Sequence, residues 1–168
     1  MPYFLIVLGV IARLIPHPWN FTPIGALGLF AGANCRPRVA WLVPLCALLV
    51  ADLIVGFYSP ISMLFVYIGF LCGPLIGWLI IAPRRSVVRI GSAVVVSSTV
   101  FFVFSNLGVW LSGYYPLTLA GLIECYVLAI PFYSAILVGD ALYATILFGG
   151  QEIFLMGFRR RSNTIVGS

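Results

Sequence analysis

The chain has 168 residues, of which 62% are hydrophobic and only 8% charged, with a net charge of +5 and a mean hydropathy of +1.16. A water-soluble domain carries about 25% charged residues, so this composition excludes a soluble fold and leaves one small bundle in a lipid bilayer. The positive excess lies in tight clusters between apolar stretches, with no basic stripe interleaved with polar residues, which argues against nucleic-acid binding.

All nine basic residues are arginine, and eight of them fall in three groups: Arg36 and Arg38; Arg84, Arg85 and Arg89; Arg159, Arg160 and Arg161. Each apolar stretch between groups is long enough for an outward and a return crossing, so all three groups belong on one face. Basic loops mark the cytoplasmic face.

In chain order, a crossing helix of about 20 apolar residues is expected six times. The first covers 2–15 and is short; with no positive residues before it, it reads as a retained helix rather than a cleaved signal peptide. Pro16, His17 and Pro18 stop it. The second covers 22–34 and is rich in Gly and Ala, the third covers 39–57, the fourth 61–81 and the fifth 87–111. Residues 117–130 are apolar but contain Glu124, which predicts a short helix at the outer interface between helices five and six. The sixth runs from Pro131 to about Gly150. The expected fold is therefore an all-α, polytopic membrane bundle of six helices in one domain, residues 1–158. A basic tail, 159–168, follows, and both termini are cytoplasmic. Gly25, Gly28 and Gly32, and again Gly69, Gly73 and Gly77, have the spacing that lets helix backbones approach closely. That spacing does not separate packing within the bundle from packing between subunits.

Three charged residues sit inside apolar segments: Arg13, Asp52 and Asp140. A charge at the bilayer centre costs about 2.5–3.5 kcal/mol on insertion scales, so such groups face the bundle interior and find partners. Arg13 and Asp52 lie at matching depths near the outer ends of helices one and three, which predicts an ion pair. Asp140 lies nearer the middle of helix six, either as a second partner for Arg13 or as a hydrogen-bond acceptor for helix backbone. Asn106, in the outer half of helix five, joins His17 and Asn20 in the first outer loop. With the aromatic residues Trp19, Tyr58, Trp110 and Tyr115, they supply what an outward-facing small-molecule pocket needs: aromatic walls and a few fixed polar groups. Taken singly, these aromatics also suit an interfacial belt. A single histidine, with no Ser-His-Asp or Cys-His arrangement, argues against an enzyme. Cys35, Cys46, Cys72 and Cys125 lack zinc-ligand spacing and read as small hydrophobes, and no cofactor is implied by the residues alone.

The string Arg13-Leu14-Ile15-Pro16-His17-Pro18-Trp19-Asn20-Phe21-Thr22-Pro23-Ile24-Gly25-Ala26, with Asp52-Leu53-Ile54-Val55-Gly56-Phe57-Tyr58, Ser105-Asn106-Leu107-Gly108-Val109-Trp110, Tyr115-Pro116-Leu117-Thr118 and Gly139-Asp140-Ala141-Leu142-Tyr143, resembles a bacterial family of small integral membrane proteins. That family is similar to the S components of energy-coupling-factor vitamin transporters and to the solitary BtuM-like cobalamin transporters. The resemblance implies six helices, cytoplasmic termini and a pocket that captures a vitamin or cofactor precursor, a cobalamin being the leading candidate. It also implies residence in the bacterial inner membrane and, in S components, a partner module of ATPases and a scaffold protein. In BtuM-like relatives a cysteine contributes to cobalt coordination. Cys72 is the residue carried over, and Cys125 competes because it lies nearer the outer face. The small-residue face by which S components dock their scaffold reduces here to Gly9 and Ala12, which favours a solitary protein. Two rival functions stand beside uptake: a membrane scaffold without a small-molecule ligand, and a membrane enzyme acting on a lipid or cofactor.

Overall fold

A computed structural model describes the backbone of residues 2–14 and 22–166, and the side chains of residues 3–14 and 22–157. The described residues are helical and contain no strand: α1 Pro2–Leu14, α2 Ile24–Asn34, the single turn α3 Pro37–Ala40, α4 Leu42–Val55, α5 Pro60–Ile76, α6 Val87–Val109 and α7 Leu119–Val166. α5 and α6 each end in a wider π turn, Gly77–Ile81 and Trp110–Tyr114. Four segments are long and apolar enough to cross a membrane: Pro37–Val55, Pro60–Ile81, Val87–Tyr114 and Leu119–Gly157. The chain is therefore a multi-pass membrane protein, with α1 and α2 as shorter apolar helices.

α2 is the centre of the bundle. Every residue from Ile24 to Gly32 is buried, because the helix is apolar on all sides and can be covered only by other helices. It packs against α5, α7, α4 and α6. Its 11 residues reach about 16 Å at 1.5 Å per residue, roughly half the hydrocarbon thickness of about 30 Å. It therefore begins inside the bundle. The glycines allow this: a Cβ on Gly28 would sit 3.2 Å from Pro74 Cδ, and one on Gly32 would overlap the Pro74 carbonyl. A Cβ on Gly77 would overlap the Leu29 carbonyl. The small-residue spacing in both helices thus serves packing within the bundle.

The arginine groups share one end where side chains are described. Arg85 donates to Asn34 at the end of α2 and to Gln151 on α7 (2.9 Å), and Gln151 donates to Asn34 (2.7 Å). Arg89 donates to the Ile80 carbonyl (3.2 Å).

One expectation needs correction. Residues 117–130 do not form a separate interfacial helix, since from Leu119 onward they are the first turns of α7, which runs through Pro131 without a break. Proline removes one N–H, but membrane helices tolerate this where neighbouring groups satisfy the freed backbone. Lateral support also comes from α6, where Tyr126 donates to the Val103 carbonyl (2.6 Å) and Phe102 packs on the rings of Tyr126 and Tyr133.

Candidate functional site

At the end of the bundle away from the arginine groups, three elements converge on an ion pair. Arg13 in the last turn of α1 donates to Asp52 Oδ1 in the last turn of α4 at 2.6 Å. The Tyr67 hydroxyl on α5 donates to Asp52 Oδ2 at 2.8 Å. Asp52 is 1% exposed and Arg13 19%. Removing two charges from water is costly, and close geometry with further hydrogen bonds offsets the cost. Here both carboxylate oxygens are used, so the pair predicted from matching depths forms and holds α1, α4 and α5 together.

Asp140 answers a different need. The first N–H groups of any helix lack intrahelical partners, and α2 starts at Pro23 with no side-chain cap of its own. Asp140 reaches from α7 to supply one: its Oδ1 accepts from the Ala26 N–H (3.1 Å), and its Oδ2 accepts from the Ser98 hydroxyl on α6 (2.8 Å). A carboxylate at a helix N-terminus also meets the positive end of the helix dipole. The group is 3% exposed. Gly25 makes room for it, since a Cβ there would lie 2.6 Å from Asp140 Oδ2. Of the two roles open from sequence, the structure selects the backbone acceptor; Arg13 pairs with Asp52 instead.

Between these two polar centres lies a cavity of about 390 Å³. Arg13, Thr22, Tyr58 and Asp140 supply its polar lining, and Val55, Val66, Phe70, Phe101 and Ile136 the rest. Phe70 and Phe101 stack with ring centroids 4.1 Å apart. A second cavity of about 300 Å³ shares Tyr58, Val66, Phe101 and Ile136 with the first and extends to Ser62, Ser105, Asn106 and Tyr114. Beside it, Ser112 bonds with Ser59 and Ser62 (2.8 and 2.7 Å) and donates to the Gly108 carbonyl (2.7 Å). Burial, then the Asp52 charge, raises the Tyr58 phenol above its ordinary value against the pull of Arg13, so Tyr58 stays a neutral hydroxyl at pH 7.

Of the residues singled out from sequence, Arg13, Tyr58 and Asp140 line the first cavity, Tyr58 and Asn106 line the second, and Asp52 lies directly behind Arg13. The Asn106 amide nitrogen is spent on its own helix, donating to the Phe102 carbonyl (2.8 Å). Trp110 and Tyr115 line neither cavity. Trp110 donates from its indole to the Pro116 carbonyl (3.0 Å), pinning the turn before α7. His17, Trp19 and Asn20 lie outside the described residues. Cys72 also lines neither cavity, packing instead against the buried cluster around Leu29 and Ala93. Cys125 is buried, with its thiol 3.5 Å from the Asn106 carbonyl. Among the described residues no three His, Cys, Asp or Glu side chains gather as a metal site.

Sequence reasoning missed Tyr67, Ser98, Thr22 and the Phe70–Phe101 floor. Serine, threonine and tyrosine carry no charge that demands a partner, and phenylalanine in an apolar helix has no signature of its own.

A family model settles the kinship, matching residues 1–162. The chain belongs to DUF6580, a family of unknown function. Comparison with curated proteins and with solved structures yields no match. The match takes in nearly the whole chain and every element that builds the two cavities.

Proposed function

We propose that this DUF6580 protein is a non-enzymatic uptake protein of the bacterial inner membrane, which takes a vitamin or cofactor precursor from outside into the cavity beneath Tyr58. In this reading the chain crosses the membrane six times, α1 and α2 included, with both termini cytoplasmic. The arginine groups then face the cytoplasm, as basic loops do, and the cavities open to the other side.

The observation that carries this reading is the pair of adjoining cavities, walled by aromatic and aliphatic side chains and flanked by two buried carboxylates in fixed hydrogen bonds. Ligand sites are concave, mostly apolar and marked by a few placed polar groups, with volumes of about 300–1,000 Å³. At about 390 Å³ the first cavity suits a precursor far smaller than a corrinoid. Together with the position of Cys72 in the packed core, this favours a small ligand over cobalamin and gives the thiol no cobalt to meet. Gly9 on α1 lies against Leu27 and Ala47 within the bundle (a Cβ would come within 2.9 and 3.0 Å). A helix-one face already spent on internal packing favours action without an energising module.

The test is thermal stabilisation of the purified, detergent-solubilised protein against a panel of vitamins and their precursors. A ligand at 100 times its Kd adds about 2.7 kcal/mol to stability. Stabilisation by one compound, weakened by Tyr58→Ala and by Ile136→Trp, which fills the cavity, is the expected result. A flat panel on well-folded protein transfers the weight to a scaffold.

A further inference from the structure

Among the described residues, the charges around the first cavity do not cancel when Asp140 is ionised. Arg13 is already matched by Asp52 at 2.6 Å, and Tyr67 donates to the same carboxylate. Among the described residues Asp140 meets only neutral donors, the Ala26 N–H and the Ser98 hydroxyl, and no cation lies within salt-bridge distance of it. The dipole of α2 offsets only part of a full charge, its N-terminus being worth roughly half an elementary charge. A carboxylate accepts about four hydrogen bonds, and among the described residues one donor on each oxygen leaves both with capacity toward the cavity that Asp140 lines. The rings of Phe70, Phe101 and Tyr58 line the same space, and aromatic faces attract cations, most strongly where water is excluded.

We propose that this cavity selects an organic cation: a small, largely apolar molecule with a protonated amine, an amidine or a cationic heteroaromatic ring, its charge on Asp140 and its body against Phe70 and Phe101. The inference rests on the reading of this cavity as a ligand site and adds the charge class that the site reads. Arg13 opposes a cation only weakly, because Asp52 at 2.6 Å already offsets its charge, and the same pairing leaves an anion to compete with a carboxylate already in place. A purely structural Asp140 would stabilise the apoprotein equally but would give no preference by ligand charge.

The experiment compares three indoles that differ only in the end group of a two-carbon chain: tryptamine (cationic), tryptophol (neutral) and indole-3-propionate (anionic). Melting curves of the full chain in detergent are recorded with each. Tryptamine is expected to raise Tm at concentrations where the other two do not, and Asp140→Asn to abolish that shift. Phe101→Leu, which keeps the carboxylate and its two hydrogen bonds, is expected to weaken tryptamine by about thirtyfold, the scale of a desolvated cation–π contact; it serves if Asp140→Asn does not fold. Stabilisation by indole-3-propionate alone, or equally by all three, overturns the cation assignment and leaves the cavity as a ligand site. No shift with tryptamine also overturns it, and if the vitamin panel is flat as well, the ligand-site reading falls with it.

Discussion

Two carboxylates, Asp52 and Asp140, are buried among the described residues of the bundle, and they are held in opposite ways. Asp52 faces a full charge, so removing it leaves Arg13 stranded. Asp52→Ala should cost about 3–5 kcal/mol, the penalty for breaking a buried pair, while Tyr67→Phe, which removes one neutral donor, should cost only about 0.5–1.5 kcal/mol. Denaturation of the detergent-solubilised variants measures both, and equal losses would mean that the arginine contact contributes nothing. Asp140 is held by an amide and a hydroxyl, so its environment is sensitive to shape. Gly25→Ala drives a Cβ into its carboxylate and should cost about 1–3 kcal/mol, the usual penalty of overpacking. The first carboxylate was legible in the sequence because a charge in an apolar segment must find a partner, and only one of opposite sign lay at the same depth. The role of the second was not legible, since one of its two partners is a backbone N–H 114 positions away in the chain.

At the scale of elements, α2 and α7 carry the arrangement. A half-length helix can be buried only if its flanks are bare, and Gly28 and Gly32 against Gly73 and Pro74 provide that. Gly32→Val should abolish folding or cost several kcal/mol, since no side chain can share the space of the Pro74 carbonyl. Gly91 on α6 faces open space, and Gly91→Ala should be neutral or stabilise by about 0.4–1 kcal/mol through loss of unfolded-chain freedom. Expression and melting temperature of the two variants separate packing glycines from incidental ones. The glycine spacing was visible in the sequence; the faces it joins were not, because spacing gives a helix a bare stripe without naming the stripe opposite. Pro131 misled for a related reason: its effect on a helix depends on what packs around it, and here Tyr126 and Tyr133, on either side of it in α7, brace the helix against Val103 and Phe102 of α6.

For the whole molecule, orientation is the first matter to measure. In a background without the four native cysteines, Arg84→Cys should be modified by a membrane-impermeant thiol reagent only from the cytoplasmic side, and Tyr114→Cys only from outside. The reverse labelling would place the cavities toward the cytoplasm and refute uptake from outside. The membrane class, and the shared end of the arginine groups whose side chains are described, followed from composition and charge alone, because the bilayer penalises each polar group at its own position, whatever the rest of the chain does. The convergence of Asp140, the start of α2, Tyr58 and the Phe70–Phe101 floor on one cavity was decided only in three dimensions. Cavities are made where packing stops, and where a half-helix begins inside a bundle depends on every neighbour it meets.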